Sequence, residues 1–189
     1  TILEHQLFAS ERNRKAPPAP VAGQKKQRSA GSMVDYGTPK TLDPTGKALT
    51  IGAWCISEKA GGVVMAHGGP FNGYALVVLR GKPTFMVRSG KQLATATAKI
   101  KVTNKWIHLA GVLTKDKQMR LYVNGELAAE AKAPGLIESV PVQGLQVGAD
   151  DGSAVGDYTT PFPFKGVVDE VRVYHRALNE QEMEKLADW

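Results

Sequence analysis

Apolar and polar positions alternate in short runs along much of the chain, which is the two-residue period of half-buried β-strands. "LTIGAWCI" sets Leu49, Ile51, Ala53 and Cys55 against Thr50, Gly52, Trp54 and Ile56. "GYALVVLRG" and "PTFMVRS" follow across a turn at Gly81-Lys82, and then come "WIHLAGVL", "MRLYVNGELAAEAK", "LQVGA" and "GVVDEVRVY". Asn124-Gly125 is the strongest hairpin signal, because both central positions of a type I′ turn require positive φ. Many short strands without alternating helices predict an all-β fold, an antiparallel sandwich or barrel.

The period changes at both ends. Asn179 with Glu182 forms a capping box, and Leu178 with Met183 occupies the two positions of a hydrophobic staple, so a short C-terminal helix starts there. "TILEHQLFASERNRK" predicts a short helix with Ile2, Leu3, Leu7 and Phe8 on one side, packed on something other than its sequence neighbours. "APPAPVAGQKKQRSAGS" has no apolar period and reads as an extended linker. The expected division is therefore a tail of an upstream domain plus Pro/Lys-rich linker over residues 1–31 and a β-sandwich over residues 32–189. A start at Thr1 and not at Met suggests a fragment, with any export signal upstream.

Charge changes the picture little. The net charge is +6, but the six bases Arg12, Arg14, Lys15, Lys25, Lys26 and Arg28 against Glu4 and Glu11 put most of it in the tail. A nearly neutral body is not what a nucleic-acid binder presents. Apolar residues make up 42% of the 189 and charged ones 22%, a globular composition, and no stretch approaches the ~18 apolar residues of a membrane span. Cys55 is the single cysteine and falls in an apolar strand, where it reads as a small buried hydrophobe. With four histidines and no His/Cys cluster, a zinc site is not indicated.

The candidate chemistry begins at "FKGVVDEVRVY", where Asp169 and Glu170 adjoin. In a regular strand Asp169 would share a face with Val167, Val171 and Val173, and Glu170 would share the other with Val168, Arg172 and Tyr174. So placed, the acids cannot flank one glycosidic bond, which needs carboxyls about 5 Å apart, or roughly 6.5 to 9.5 Å, aimed at one sugar. No catalytic residue is expected. A carboxylate among valines must instead be paired, capped by backbone amides or bound to metal. Two loops are expected to take a ligand. His67 to Tyr74 offers His67, Phe71, Asn72 and Tyr74, a stacking face with an amide; the alternative is an ordinary strand connection. "GADDGSAVGDYTTPFPF" offers Asp150, Asp151 and Tyr158, with a cap over the sandwich or a cation site as alternatives. Trp54 and Trp106 read as core, and His108 as a buried, hydrogen-bonded imidazole.

"SMVDYGTPKTLDPTGKALTIGAWCI", "WIHLAGVLTKDKQMRLYVNGELAAE", "LQVGADD" and "FKGVVDEVRVYHRALNEQEMEKL" resemble, in order, the successive blocks of the concanavalin A-like lectin/glucanase superfamily in its laminin-G-like branch. The resemblance covers residues 32–189 and implies a two-sheet antiparallel jelly roll of about a dozen strands, binding ligands at rim loops or on the concave sheet. Glycanases of that superfamily carry a Glu-x-Asp-x-x-Glu stretch, which this chain lacks. Some relatives hold a structural calcium near the position of Asp169, with Asp35 and loop carbonyls as further ligands here; otherwise no cofactor is required. The resemblance implies a non-catalytic, lectin-like accessory module of a larger extracellular or periplasmic protein, a sulfatase or glycosidase. Its partners would be a glycan or polysaccharide and a covalently linked upstream catalytic domain. A structural or protein-interaction domain that binds no sugar, and a divergent glycan hydrolase, are the alternatives.

Overall fold

The computed structural model describes residues 2–3, 33–58 and 61–188. The strands are β1 (Ile2–Leu3), β2 (Val34–Asp35), β3 (Leu49–Ser57), β4 (Gly61–Gly68), β5 (Gly73–Leu79) and β6 (Lys82–Ser89). They continue with β7 (Gln92–Thr97), β8 (Ile107–Leu113), β9 (Gln118–Val123), β10 (Glu126–Lys132), β11 (Leu145–Val147) and β12 (Gly166–Tyr174), followed by α1 (Glu180–Ala187). They form two six-stranded antiparallel sheets in the orders β1-β12-β3-β8-β9-β10 and β2-β11-β4-β5-β6-β7. The expected all-β sandwich with a short C-terminal helix is what the chain adopts.

One continuous core lies between the sheets. Leu49, Ile51, Ala53 and Cys55 enter it from β3, and Leu76, Val78, Phe85 and Val87 from β5 and β6. Gly111 lets the sheets approach: a Cβ there would stand 2.4 Å from the Phe85 ring. The hairpins turn where left-handed backbone is available, at Asn124-Gly125 (φ 52° and 80°) as expected and at Arg80-Gly81 (φ 52° and 80°), one residue earlier than the expected Gly81-Lys82. Strands β4 and β7 are not announced by alternation. β4 is buried on both faces, and β7 is a short run of Gln, Leu, Ala and Thr in which Ala96 alone is buried.

Both outer faces are partly covered. The capping box at Asn179 and Glu182 is formed, and α1 lays Met183 with Leu178 on Ala110, Val112, Tyr122 and Tyr174 of the first sheet. On the second sheet the 148–164 segment lays Val155, Tyr158 and Phe162 over Val63, Ala66, Ala75, Val77 and Met86. The helix expected at the N-terminus does not hold for Ile2 and Leu3, which pair as a strand with Tyr174 and Val173. An edge strand offers backbone partners that an isolated short helix must do without. Leu7, Phe8 and the linker lie outside the described residues. Among the described residues no helix is long and apolar enough to cross a membrane.

Candidate functional site

The acid pair on β12 sits where alternation fails. The register with β3 shifts between Asp169 and Arg172, and Glu170 has φ 50°, the left-handed conformation of a β-bulge. The extra residue resets the faces. Val168, Val171 and Val173 point to the core, while Val167 is 47% exposed. Asp169 therefore does not share a face with Val171 and Val173. It is paired across the sheet with Trp54, which is paired with His108, on the side away from the core. The expectation that the two acids face apart by strand parity is thus corrected, since the bulge removes the parity.

Their partners decide their role. The Asp169 Oδ1 accepts the Glu170 amide at 2.8 Å, a cap on the bulge, and Glu170 Oε2 accepts Arg172 Nη2 at 2.6 Å. The His108 ring lies 5.6 Å from that of Trp54, and burial, with the Arg172 charge adding to it, pushes its pKa down to about 4. Both carboxylates are thus engaged within the sheet face, whereas His108 Nδ1 is buried with no hydrogen-bond partner. Asp35 and Asp169 cannot supply one calcium between them. Asp35 is exposed on β2 of the other sheet and accepts the Gly37 amide at 2.7 Å and Gln146 Nε2 at 3.1 Å. Among the described residues no group of three His, Cys, Asp or Glu side chains is placed to hold a metal ion.

The two ligand-loop expectations divide differently. In the 148–164 segment Tyr158 donates to Asp150 Oδ2 at 2.5 Å, and Asp150 is 1% exposed. Burial raises the pKa of both. These two side chains hold the segment to itself and to the sheet, the cap alternative. Asp151 stays exposed, its amide donating to Gln146 Oε1 at 2.7 Å. His67 and Tyr74 are likewise turned inward at 1% exposure each, paired through Nδ1 and Oη at 3.2 Å with their rings edge to face. Tyr74 and Tyr158 therefore share no exposed face with Phe71. Of the first loop, Phe71 and Asn72 reach the rim.

There the structure builds a cleft of about 330 Å³ lined by Gly69, Pro70, Phe71, Asn72, Ser139, Val140, Val142, Gln143 and Ser153. Asn72 braces it: Oδ1 accepts the amides of Gly90 at 3.0 Å and Glu138 at 3.3 Å, while Nδ2 donates to Ser139 Oγ at 2.9 Å. Gln143 Oε1 accepts the Ser153 amide at 3.2 Å and so ties the tip of the second loop to the same wall. Much of the surface left facing outward is apolar: Phe71 is 55% exposed, Val140 54% and Val142 94%. Lys91 Nζ stands 5.6 Å from the Phe71 ring centroid. The cleft thus joins parts of both expected loops through a third segment, Ser139 to Gln143, that the sequence reading missed. Its signal was "SVPVQG", two valines bracketing a proline with no strand to bury them.

A family model described as the concanavalin A-like lectin/glucanases superfamily (Laminin_G_3) matches residues 29–184. No curated protein matches in sequence. Among solved structures, the sialidase carbohydrate-binding module CBM40 of Ruminococcus gnavus, bound to α2,3 sialyllactose, is 18% identical, with TM-score 0.65 over 83% of this chain and 92% of that one. The binding domain of Paraclostridial Mosquitocidal Protein 1 is 14% identical, with TM-score 0.66 over 83% of this chain, which spans 41% of that one. The heptameric SAP-like pentraxin of Limulus polyphemus is 14% identical, with TM-score 0.59 over 77% of this chain and 72% of that one. At these identities the likeness is one of fold.

Proposed function

Because the chain belongs to the laminin-G-like family of the concanavalin A-like lectin/glucanase superfamily, we propose that it is a non-catalytic, lectin-like module that holds a neutral glycan in the Phe71 cleft. The observation that carries this is the exposed aromatic face of Phe71 in a cleft whose walls Asn72 and Gln143 lock in place. A pyranose ring has an apolar face that stacks on an aromatic ring and a hydroxyl edge for amides and serines. None of the described residues lining the cleft is charged. Lys91 Nζ stands beside the cleft, 5.6 Å from the Phe71 ring centroid, and the sialylated ligand is a property of the sialidase module alone. Arg88, on β6, is committed to the carbonyls of Val155 at 2.6 Å and Lys91 at 2.9 Å.

Nothing in the acid pair on β12 supports chemistry, since each carboxylate is engaged within its own sheet. In this reading the module serves a larger secreted protein, a sulfatase or glycosidase, by keeping an attached catalytic domain near its substrate. A second reading has one observation in its favour: Val140 and Val142 extend the apolar surface beyond Phe71, which suits docking on a protein neighbour. A glycan array probed with the chain and with Phe71→Ala tests the first reading. Binding to uncharged glycans that the variant loses is the expected result. A chain that is folded and silent across the array overturns it in favour of docking.

A further inference from the structure

We propose that a second, smaller pocket adjoining the Phe71 cleft is a subsite for a polyol arm of the bound glycan, such as an exocyclic hydroxymethyl or vicinal diol; this rests on the glycan reading above. The pocket encloses about 70 Å³ and is lined by Thr38, Pro39, Lys40, Asp43, His67 and Val140. Val140 also lines the cleft, so one side chain partitions the two spaces. At about 70 Å³ against about 330 Å³ for the cleft, the pocket suits a short hydroxyl-bearing arm.

The wall chemistry selects a hydroxyl. His67 is 1% exposed and its Nδ1 is engaged by Tyr74 Oη at 3.2 Å, while its Nε2 is buried with no hydrogen-bond partner. A buried, unpaired polar nitrogen is rare because its lost hydration is not replaced. Asp43 is fixed by the amide of Thr45 at 2.9 Å and its hydroxyl at 2.5 Å, both on Oδ1, so the pocket carries an oriented acceptor. Lys40 adds a donor and Thr38 a hydroxyl. An anion entering here meets the Asp43 carboxylate, and a cation meets the Lys40 ammonium. A hydroxyl has one proton to give and two lone pairs to accept with, so a vicinal diol can donate one proton to Asp43 and one to an unprotonated His67 Nε2 while accepting from Lys40.

The test is NMR of the full chain with nitrogen-labelled histidine, titrated with glycerol as the probe. The expected result is a saturable shift of the His67 Nε2 resonance. Thr38→Trp, a plug on an exposed loop residue, should weaken the apparent affinity by about tenfold or more, and Asp43→Asn should weaken it while keeping the Thr45 contacts. Phe71→Ala should leave the glycerol curve unchanged. A response linear in glycerol, or one indifferent to the Thr38→Trp plug, overturns the subsite. The two readings separate cleanly: glycan binding on the array with a linear glycerol response keeps the lectin and removes the subsite, whereas a saturable response in an array-silent chain keeps a polyol pocket and removes the lectin.

Discussion

Two places in this molecule concentrate polar side chains, and they use them in opposite ways. On β12 the polar groups close on one another: Asp169 caps the bulge amide and Glu170 holds Arg172, on a sheet face shared with Trp54 and His108. At the Phe71 rim the side-chain oxygens of Asn72 and Gln143 accept backbone amides of the loops, Asn72 Nδ2 donates to Ser139 Oγ, and the large side chains left facing water are apolar. The first arrangement stabilises a strand and commits both of its carboxylates. The second fixes a concave, largely apolar surface without consuming it, which is how loop-built sites are commonly prepared. A pair of adjacent acids is thus a weaker indicator of function here than one exposed phenylalanine between braced loops.

The largest effect expected is on pH. Each region buries a histidine, His108 beside the β12 layer and His67 beneath the rim, and burial pushes the pKa of each from 6.5 down to about 4. The folded chain keeps both neutral where the unfolded chain already binds protons. Their contribution is therefore complete above pH 6.5 and is lost as the pH falls toward 4, by roughly 3 kcal/mol for each ring. Urea unfolding across that window should show the decline, and His67→Gln and His108→Gln should each flatten their own share of it. Curves that coincide with wild type would show that the two imidazoles are not held neutral.

Next in size is Asp169→Ala, which leaves the bulge amide at Glu170 unpaired in a buried layer and should cost about 2 kcal/mol in unfolding free energy. Glycan affinity should be unchanged, which separates the two regions. Phe71→Ala should do the reverse. Calorimetric titration should show affinity reduced about tenfold, equivalent to about 1.4 kcal/mol, with a melting temperature like that of wild type. The smallest effect belongs to Glu170→Gln: the amide can still accept from Arg172 but no longer offsets its charge in a contact whose side chains are 11% and 22% exposed, so stability should fall by about 1 kcal/mol and binding not at all. A Glu170→Gln chain that lost binding would merge the two regions into one site.

The sandwich was legible because its signals are local. Alternation in β3, the Asn124-Gly125 turn and the Asn179 capping box each follow from a few neighbouring residues. The bulge was not, because a glutamate at positive φ carries no mark of its own where Gly or Asn would have announced it. One inserted residue then reassigned Val168 to the core and moved Asp169 to the outer face. The site was half legible for a related reason. Composition singled out the loops at Phe71 and Asp150, but whether a tyrosine stacks on sugar or packs on a sheet depends on contacts from distant strands, and Tyr74 and Tyr158 both turned inward. The third wall, Ser139 to Gln143, is joined to the first by Asn72 across more than sixty residues of sequence.

The contrast between the two regions is tested most directly by mapping backbone amide shifts in the labelled chain as a glycan from the array is titrated in. Perturbations should gather at Gly69 to Asn72, Ser139 to Gln143 and Ser153 and leave the β12 layer still. Shifts centred instead on Trp54, His108 and Asp169 would contradict the account, because the β12 layer would then be the surface that binds.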